Sequence, residues 1–185
     1  MLDLGIGVAI LSEGKVLLTK REDFEVWCLP GGALEEGETF AQTAVREAKE
    51  ETGLEVSLER LVGLYSRPEG RNEGSHDIIF AGRPIGGELH PDPREVIAAG
   101  WFGLSDLPDL ILPWQRQGIK DALMGVGGSA VWKQDYTWPF PRELGRKDIY
   151  RLRDESGMAR QAFFRKHFCL SPFSETLEVK PVKPL

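Results

Sequence analysis

The sequence predicts an α/β fold, and three observations carry that prediction. Short apolar runs of strand character recur along the chain, amphipathic helical segments lie between them, and Gly- and Pro-rich turns mark the joins. "GIGVAIL" and "KVLLTKR" flank "SEG" and read as two strands joined by a short turn. Residues 40–52 read as one helix. Thr39 and Gln42 form a capping box at its start, Ala41, Ala44, Val45 and Ala48 recur on one face, and Gly53 is a natural terminator. "LVGLYS" and "DIIFAGRPI" read as further strands, with "SRPEGRNEGSH" as a mobile loop between them, and "VIAAGWFGL" as another strand end. A helix is expected from Pro113 to Met124, with Pro113 as its first residue.

The composition changes after "GVGGS", which divides the chain into a domain over 1–125 and an extension over 126–185. "WKQDYTWPFPREL" reads as irregular or extended, "ARQAFFRKHF" has helical spacing, and "SPFSETLEVKPVKPL" reads as a tail that docks or frays. Residues 142–167 carry eight Lys/Arg against four Asp/Glu, although the whole chain has net charge −6. The overall acidity argues against broad nucleic-acid binding. The basic segment with Trp132, Tyr136, Trp138 and Phe140 suits covering a substrate, meeting a second subunit or touching RNA. Its simplest reading is packing on its own domain or on a dimer mate. Cys28 and Cys169 form no disulfide framework or zinc spacing, which favours a reducing compartment. The N-terminus lacks a basic leader, and no run reaches the roughly 18 apolar residues that span a bilayer. A cytoplasmic protein is expected.

The helix over 40–52 carries an unusual charge pattern. Glu47 and Glu50 are three apart and Glu47 and Glu51 four apart, so the three carboxylates share an arc of about 100°. Like charges at this spacing repel, and they lie near the helix end where the macrodipole disfavours anions. Local stability does not explain them. A hard divalent cation does, because Mg²⁺ takes oxygen ligands and keeps positions for phosphate. Arg46 stands beside Glu47 and can pair with a carboxylate.

Gly32, Glu38, Arg46, Glu47, Glu50, Glu51 and Gly53 stand in the order G-x5-E-x7-R-E-U-x-E-E-x-G-U, with Ala48 and Leu54 at the apolar U positions. This resembles the signature of the Nudix hydrolase family, and Ala48 is the one mild departure. "VWCLPGG" before it and "WFGLSDLP" after it are similar to family elements too, whereas 126–185 match none. The resemblance implies an α/β/α sandwich around a mixed sheet, and an enzyme that cleaves a pyrophosphate linkage with Mg²⁺ or Mn²⁺. It implies that Glu47 and Glu51 ligate the metal, that Glu50 is a ligand or binds through water, that the Gly31 carbonyl adds another oxygen, that Arg46 orients a glutamate, and that Glu38 braces the loop. The general base is implied to be a box glutamate or a carboxylate of a later loop, for which Glu95 is the candidate. The resemblance also allows a homodimer.

Pro68, 15 residues after Gly53, is similar in placement to the ADP-ribose and nucleotide-sugar group of the family. ADP-ribose is therefore the favoured substrate. A (d)NTP or a 5′-triphosphate RNA is the alternative, and a domain that only senses a nucleotide is the third reading. Lys20, Arg21, Arg67 and Arg71 are candidates for phosphate. Trp27, Phe24 and Tyr65 are candidates for stacking on a base. His76 reads as a surface residue.

Overall fold

The structure is a computed structural model, and it describes residues 3–70, 74–127 and 130–180. The elements in chain order are β1 (Asp3–Ser12), β2 (Lys15–Arg21), β3 (Trp27–Cys28), β4 (Gly31–Ala33), α1 (Phe40–Thr52), β5 (Leu54–Arg67), β6 (Ser75–Gly87) and β7 (Val96–Phe102). A 3-10 turn (Pro113–Gln115) leads into α2 (Arg116–Leu123). Then come β8 (Ala130–Tyr136), α3 (Arg146–Glu155), α4 (Arg160–Phe168) and β9 (Phe173–Val179). The α/β class read from the sequence is the fold observed.

β1 organises the sheet. It pairs with β2 through the two-residue turn Glu13–Gly14, with Ser12 opposite Lys15 and both turn residues at positive φ. It runs parallel to β6 from Asp3↔Ser75 to Ile10↔Gly82, and antiparallel to β4. The strand order is β3-β2-β1-β6-β5-β8-β9, with β4 on β1 and β7 on β2. Parallel and antiparallel pairs coexist, so the sheet is mixed.

Both faces of β1 are covered, which explains its unbroken apolar run. Ile6, Val8 and Ile10 pack with Ala44 and Ala48 of α1. Ala9 on the other face joins Val16, Leu18, Ile79 and, from α2, Ile119 and Ala122. The alternation along one strand thus builds two cores and three layers.

The extension departs from the sequence reading. Residues 132–136 were expected to be irregular, but they belong to β8, which adds parallel to β5 from Gly63↔Ala130 to Ser66↔Lys133. The expected tail contains β9, antiparallel to β8 from Tyr136↔Phe173 to Val131↔Val179. Both strands alternate with period two, but buried Gln134 interrupts the apolar face of β8, and the prolines after β9 dominate its composition. Residues 181–185 of the expected tail lie outside the described residues.

α3 and α4 close a third apolar cluster. Ile149, Phe163, Phe164 and Phe168 pack on Phe24, Val26, Leu110 and Leu112. The Phe24 ring lies 5.8, 5.7 and 5.5 Å from the rings of Tyr150, Phe164 and Phe168. Polar clasps hold the same contact: Arg153 donates to the Asp23 carbonyl at 2.5 Å, Arg160 to the Glu22 carbonyl at 2.6 Å, and Gln161 to the Glu25 carbonyl at 3.2 Å. Residues 130–180 therefore share both a sheet and a core with the residues before them.

Candidate active site

The site starts at the strand before α1. Gly31 has φ of 154°, and a Cβ there would stand 2.2 Å from the Ile6 carbonyl oxygen, so only glycine lets β4 lie against β1. Its N–H donates to Glu51 Oε2 at 3.3 Å. A Cβ on Gly32 would stand 2.2 Å from Glu47 Oε1, so the missing side chain is the room that the Glu47 carboxylate occupies.

α1 begins and ends as its sequence dictates. The Thr39–Gln42 capping box is formed, and Gly53 caps the last turn in the left-handed region with its N–H on the Lys49 carbonyl. The buried face differs from the expected one. Thr43, Ala44, Ala48 and Thr52 are buried, while Ala41 and Val45 are exposed. The Thr43 hydroxyl is satisfied on Glu38 Oε2 at 2.8 Å, which makes its burial cheap. This rotation turns Glu47 and Glu51 toward the interior and leaves Glu50 on the outside.

Arg46 ties the loop to the helix. It donates through Nε and Nη2 to the two Glu38 oxygens at 2.7 and 3.0 Å, a bidentate pair. Nη1 reaches Glu47 Oε1 at 2.9 Å and Glu50 Oε2 at 3.0 Å, and Nη2 reaches the Ala33 carbonyl. The Arg46 guanidinium holds the Glu38 carboxyl down at about 2, so Glu38 stays anionic and braces the loop.

Glu47, Glu51 and Glu95 line one cavity of about 630 Å³, within the range of small-ligand sites. Glu50, expected to be a ligand, is not in its wall. It is 60% exposed and sits on the outer side of Arg46. Burial pushes the Glu51 carboxyl up to about 7, against the pull of the Gly31 N–H and Arg21 and helped by the charges of Glu47 and Glu95. Burial raises Glu47 as well, opposed by Arg46. Buried carboxylates that repel one another are suited to a cation. Among the described residues no three His, Cys, Asp or Glu side chains close into a ready-made cage. The donor set therefore fits a hard ion held by one or two carboxylates, with other positions left to water and phosphate oxygens.

The other expected ligand-binding residues divide. Arg21 lines the cavity and is held by Asp23, with Nε to Oδ1 at 2.9 Å and Nη2 to Oδ2 at 2.5 Å. Tyr150 of α3 donates to the same Asp23 Oδ2 at 2.8 Å. Phe24 lines the cavity. Arg67 was expected in a mobile loop. It instead ends β5, buried, with Nη1 donating to Asp77 and Gln134 at 3.0 and 2.9 Å and its guanidinium 5.6 Å from the Trp114 ring centre. It still borders the cavity, as a fixed wall. Trp27, expected to stack on a base, does not line it: its ring packs edge-on to Phe102 at 4.9 Å, against the core. Tyr65 is fully buried and donates to Asp121 at 2.8 Å. Lys20 lies outside the cavity wall, and His76 is half-buried in β6. Arg71 lies outside the described residues.

Sequence reasoning missed much of the wall. Arg94, Trp114 and Arg146 border the cavity, as do Trp138, Tyr150, Phe164 and Phe168. Only Trp138 had been weighed, among aromatics suited to covering a substrate. Nothing in the local pattern marks the others, because long-range packing brings them there. The Trp138 Nε1–H is the one buried side-chain polar atom without a partner among the described residues. Leaving such a donor unpaired costs about 1–3 kcal/mol.

With this geometry in view, residues 1–123 match the family model described as the NUDIX domain. The chain belongs to the Nudix hydrolase family. It is an enzyme that hydrolyses pyrophosphate bonds. An ADP-ribose pyrophosphatase of Methanocaldococcus jannaschii is 39% identical over 126 residues, covering 64% of this chain and 72% of that one. A Bacillus subtilis protein provisionally named 8-oxo-dGTP diphosphatase is 36% identical over 123 residues, covering 66% and 80%. The crystal structure of an ADP-ribose pyrophosphatase from Streptococcus suis superposes with a TM-score of 0.60 at 29% identity, covering 69% of this Nudix chain and 97% of that one. The family match stops at residue 123, before β8. Among the described residues no helix is long and apolar enough to cross a membrane.

Proposed function

We propose that this Nudix hydrolase cleaves, with a divalent cation, the diphosphate of a nucleoside diphosphate linked to another group, with ADP-ribose as the favoured substrate. The observation that carries the reading is the convergence of Glu47, Glu51 and Glu95 on one cavity whose wall also holds aromatic and basic residues. Glu47 and Glu51 would hold Mg²⁺ or Mn²⁺, with the Gly31 carbonyl as a further oxygen, whereas Glu50 pairs with Arg46 outside the cavity wall. When bound, the ion supplies positive charge to the phosphate oxygens and acidifies a water. Glu95 then takes a proton from the attacking water. The water oxygen bonds to one phosphorus, the bridging P–O bond breaks, and two phosphate-bearing products leave. Arg46 keeps Glu47 in place, and Arg21 faces the diphosphate.

The M. jannaschii and S. suis relatives support ADP-ribose, and the B. subtilis relative supports a (d)NTP as the second reading. A 5′-triphosphate RNA remains within the second reading. In the basic segment Arg142, Arg151, Arg153 and Arg160 are paired with Glu69, Asp148, Asp154 and Glu22. The test is product release from ADP-ribose, nucleotide sugars and (d)NTPs with Mg²⁺, with Glu51→Gln beside the wild type. AMP from ADP-ribose is expected, with kcat about 10²–10⁴-fold lower in the variant. Preferred turnover of (d)NTPs would overturn the substrate, and equal rates for both proteins would overturn the site.

A further inference from the structure

Glu95 is the cavity carboxylate that does not come from α1, and backbone bonds alone place it. Its side chain is exposed and accepts no hydrogen bond among the described residues. The turn over 92–95 is closed by the Asp92 carbonyl, which accepts from the Glu95 and Val96 N–H groups at 3.1 and 2.8 Å. The β2–β7 ladder shifts register between Lys20 and Arg21, and beyond that shift the Glu22 N–H donates to the Glu95 carbonyl at 2.8 Å. Glu22 is held from its other side as well. Its carbonyl accepts from Arg160 Nη1 at 2.6 Å, and the same nitrogen pairs with the Glu22 carboxylate. Arg160 opens α4, outside the family match, and does not line the cavity. The Asp23 and Glu25 carbonyls are gripped in the same way by Arg153 and Gln161. The loop over 22–25 needs such a hold, because Glu25 sits at φ of 56°, in the left-handed region that side-chain-bearing residues seldom adopt. A bond to a main-chain carbonyl fixes the path of the loop, whereas a bond between two side chains fixes only their tips.

We infer that Arg160 is a positioning residue for Glu95: by gripping the Glu22 carbonyl from the extension, it holds the residue whose N–H anchors the turn that carries the base. Two hydrogen bonds in series, Arg160 to Glu22 and Glu22 to Glu95, join α4 to the reacting water. Release of the first lets Glu22 and the 92–95 turn shift, and a proton acceptor misplaced by about 1 Å costs up to about 10²-fold in rate. The metal-holding carboxylates stay where they are, because α1 and the loop over 31–38 fix them through their own contacts. The inference rests on the proposed reading of Glu95 as the base, and it adds that a residue outside the family domain aims it.

The experiment is a double-mutant cycle in the full chain, with Arg160→Gln, Glu95→Gln and the two combined. Arg160→Lys tests rescue, and Arg151→Gln is a control on the solvent side of α3. Thermal melts first confirm folding. Steady-state kinetics with Mg²⁺ are then measured over the substrate panel, and exchange of the Glu22 amide proton is followed by NMR. Glu95→Gln is expected to lower kcat about 10²-fold or more. Arg160→Gln is expected to lower kcat about tenfold or more with KM changed less than about twofold, because the lost interaction serves the transition state. In the Glu95→Gln background the same change is expected to cost less than about twofold, since residues that act as a unit are not additive. Arg160→Lys should recover most of kcat, because a single nitrogen makes both contacts to Glu22. Arg151→Gln should match wild type. Exchange of the Glu22 amide should quicken about tenfold in Arg160→Gln while the amides of α1 keep their protection. If Arg160→Gln leaves kcat unchanged, or costs as much without Glu95 as with it, the inference is wrong while the base reading stands. If Glu95→Gln runs at the wild-type rate, the base reading falls and takes the inference with it. If the panel shows no turnover, the amide decides: unchanged exchange overturns the hold on Glu22, and faster exchange keeps that hold while the reaction falls.

Discussion

Two regions wall the same cavity, and they are built by opposite means. The loop and helix over 31–53 place their groups through contacts close in sequence: Arg46 to Glu38 across eight residues, Thr43 to Glu38 across five, Glu51 to Gly31 across twenty. The extension reaches the cavity through contacts that span most of the chain, as Tyr150 to Asp23 across 127 residues and Arg160 to Glu22 across 138. The first region holds the carboxylates proposed to carry the chemistry, and its geometry is nearly self-contained. The second shapes the space, and its position depends on the whole sheet and the aromatic cluster. Local placement costs little loop-closure entropy, whereas the distant wall must be held by burial.

That contrast can be broken in several ways. The largest effect is expected from Phe164→Ala, which empties a nearly fully buried position in the extension cluster. A loss of about 3–5 kcal/mol is expected, read as a fall in Tm of about 10 °C. A second lower-temperature transition of the extension alone, with 3–127 intact, would show the two regions to be less coupled than their shared sheet implies.

The pH dependence separates the regions next. Glu51 is raised to about 7, so its neutral form is the one the fold favours. Its contribution to stability is fully present below the unfolded value near 4.5 and is lost as pH rises through about 7. In chelator, wild type is expected to lose stability on the order of 2–3 kcal/mol between pH 5 and 8 relative to Glu51→Gln. Added Mg²⁺ should restore more at pH 8 than at pH 6, because ligation needs the carboxylate. Parallel melting curves for the two proteins would remove this account.

Gly32→Ala sharpens the local half. The new methyl meets Glu47 Oε1, the end of a movable side chain, so the fold should survive. Activity is expected to fall about 10–100-fold, with Tm moved by only a few degrees. Tyr150→Phe has the smallest expected effect. It deletes one hydrogen bond to Asp23, worth about 1 kcal/mol, and should raise KM modestly by loosening Arg21.

Legibility in the sequence follows the same divide. The capping box and the helix end at Gly53 were readable because each rests on spacing within a few residues, whereas the sequence set Arg46 beside a carboxylate without naming Glu38 as its partner. The buried face of α1 was misread because Thr43 is polar by type but satisfied in place. Trp27 and Arg67 carried the right chemistry for a ligand, and only packing shows that one serves the core and the other is held by Asp77 and Gln134. β8 was hidden by Gln134, whose amide donates to the Trp114 carbonyl and to Glu175, partners 20 and 41 residues away.

By itself, then, the sequence determined the α/β class, the family signature and the carboxylates of the acidic helix, since helix periodicity and short-range hydrogen bonds depend on neighbours along the chain. The tertiary structure alone decided that Glu95 joins Glu47 and Glu51, that Glu50 turns outward, and that Trp138 and Arg146 border the same cavity. Those placements come from sheet order and the burial of distant aromatics, and no local spacing encodes which distant surfaces will meet.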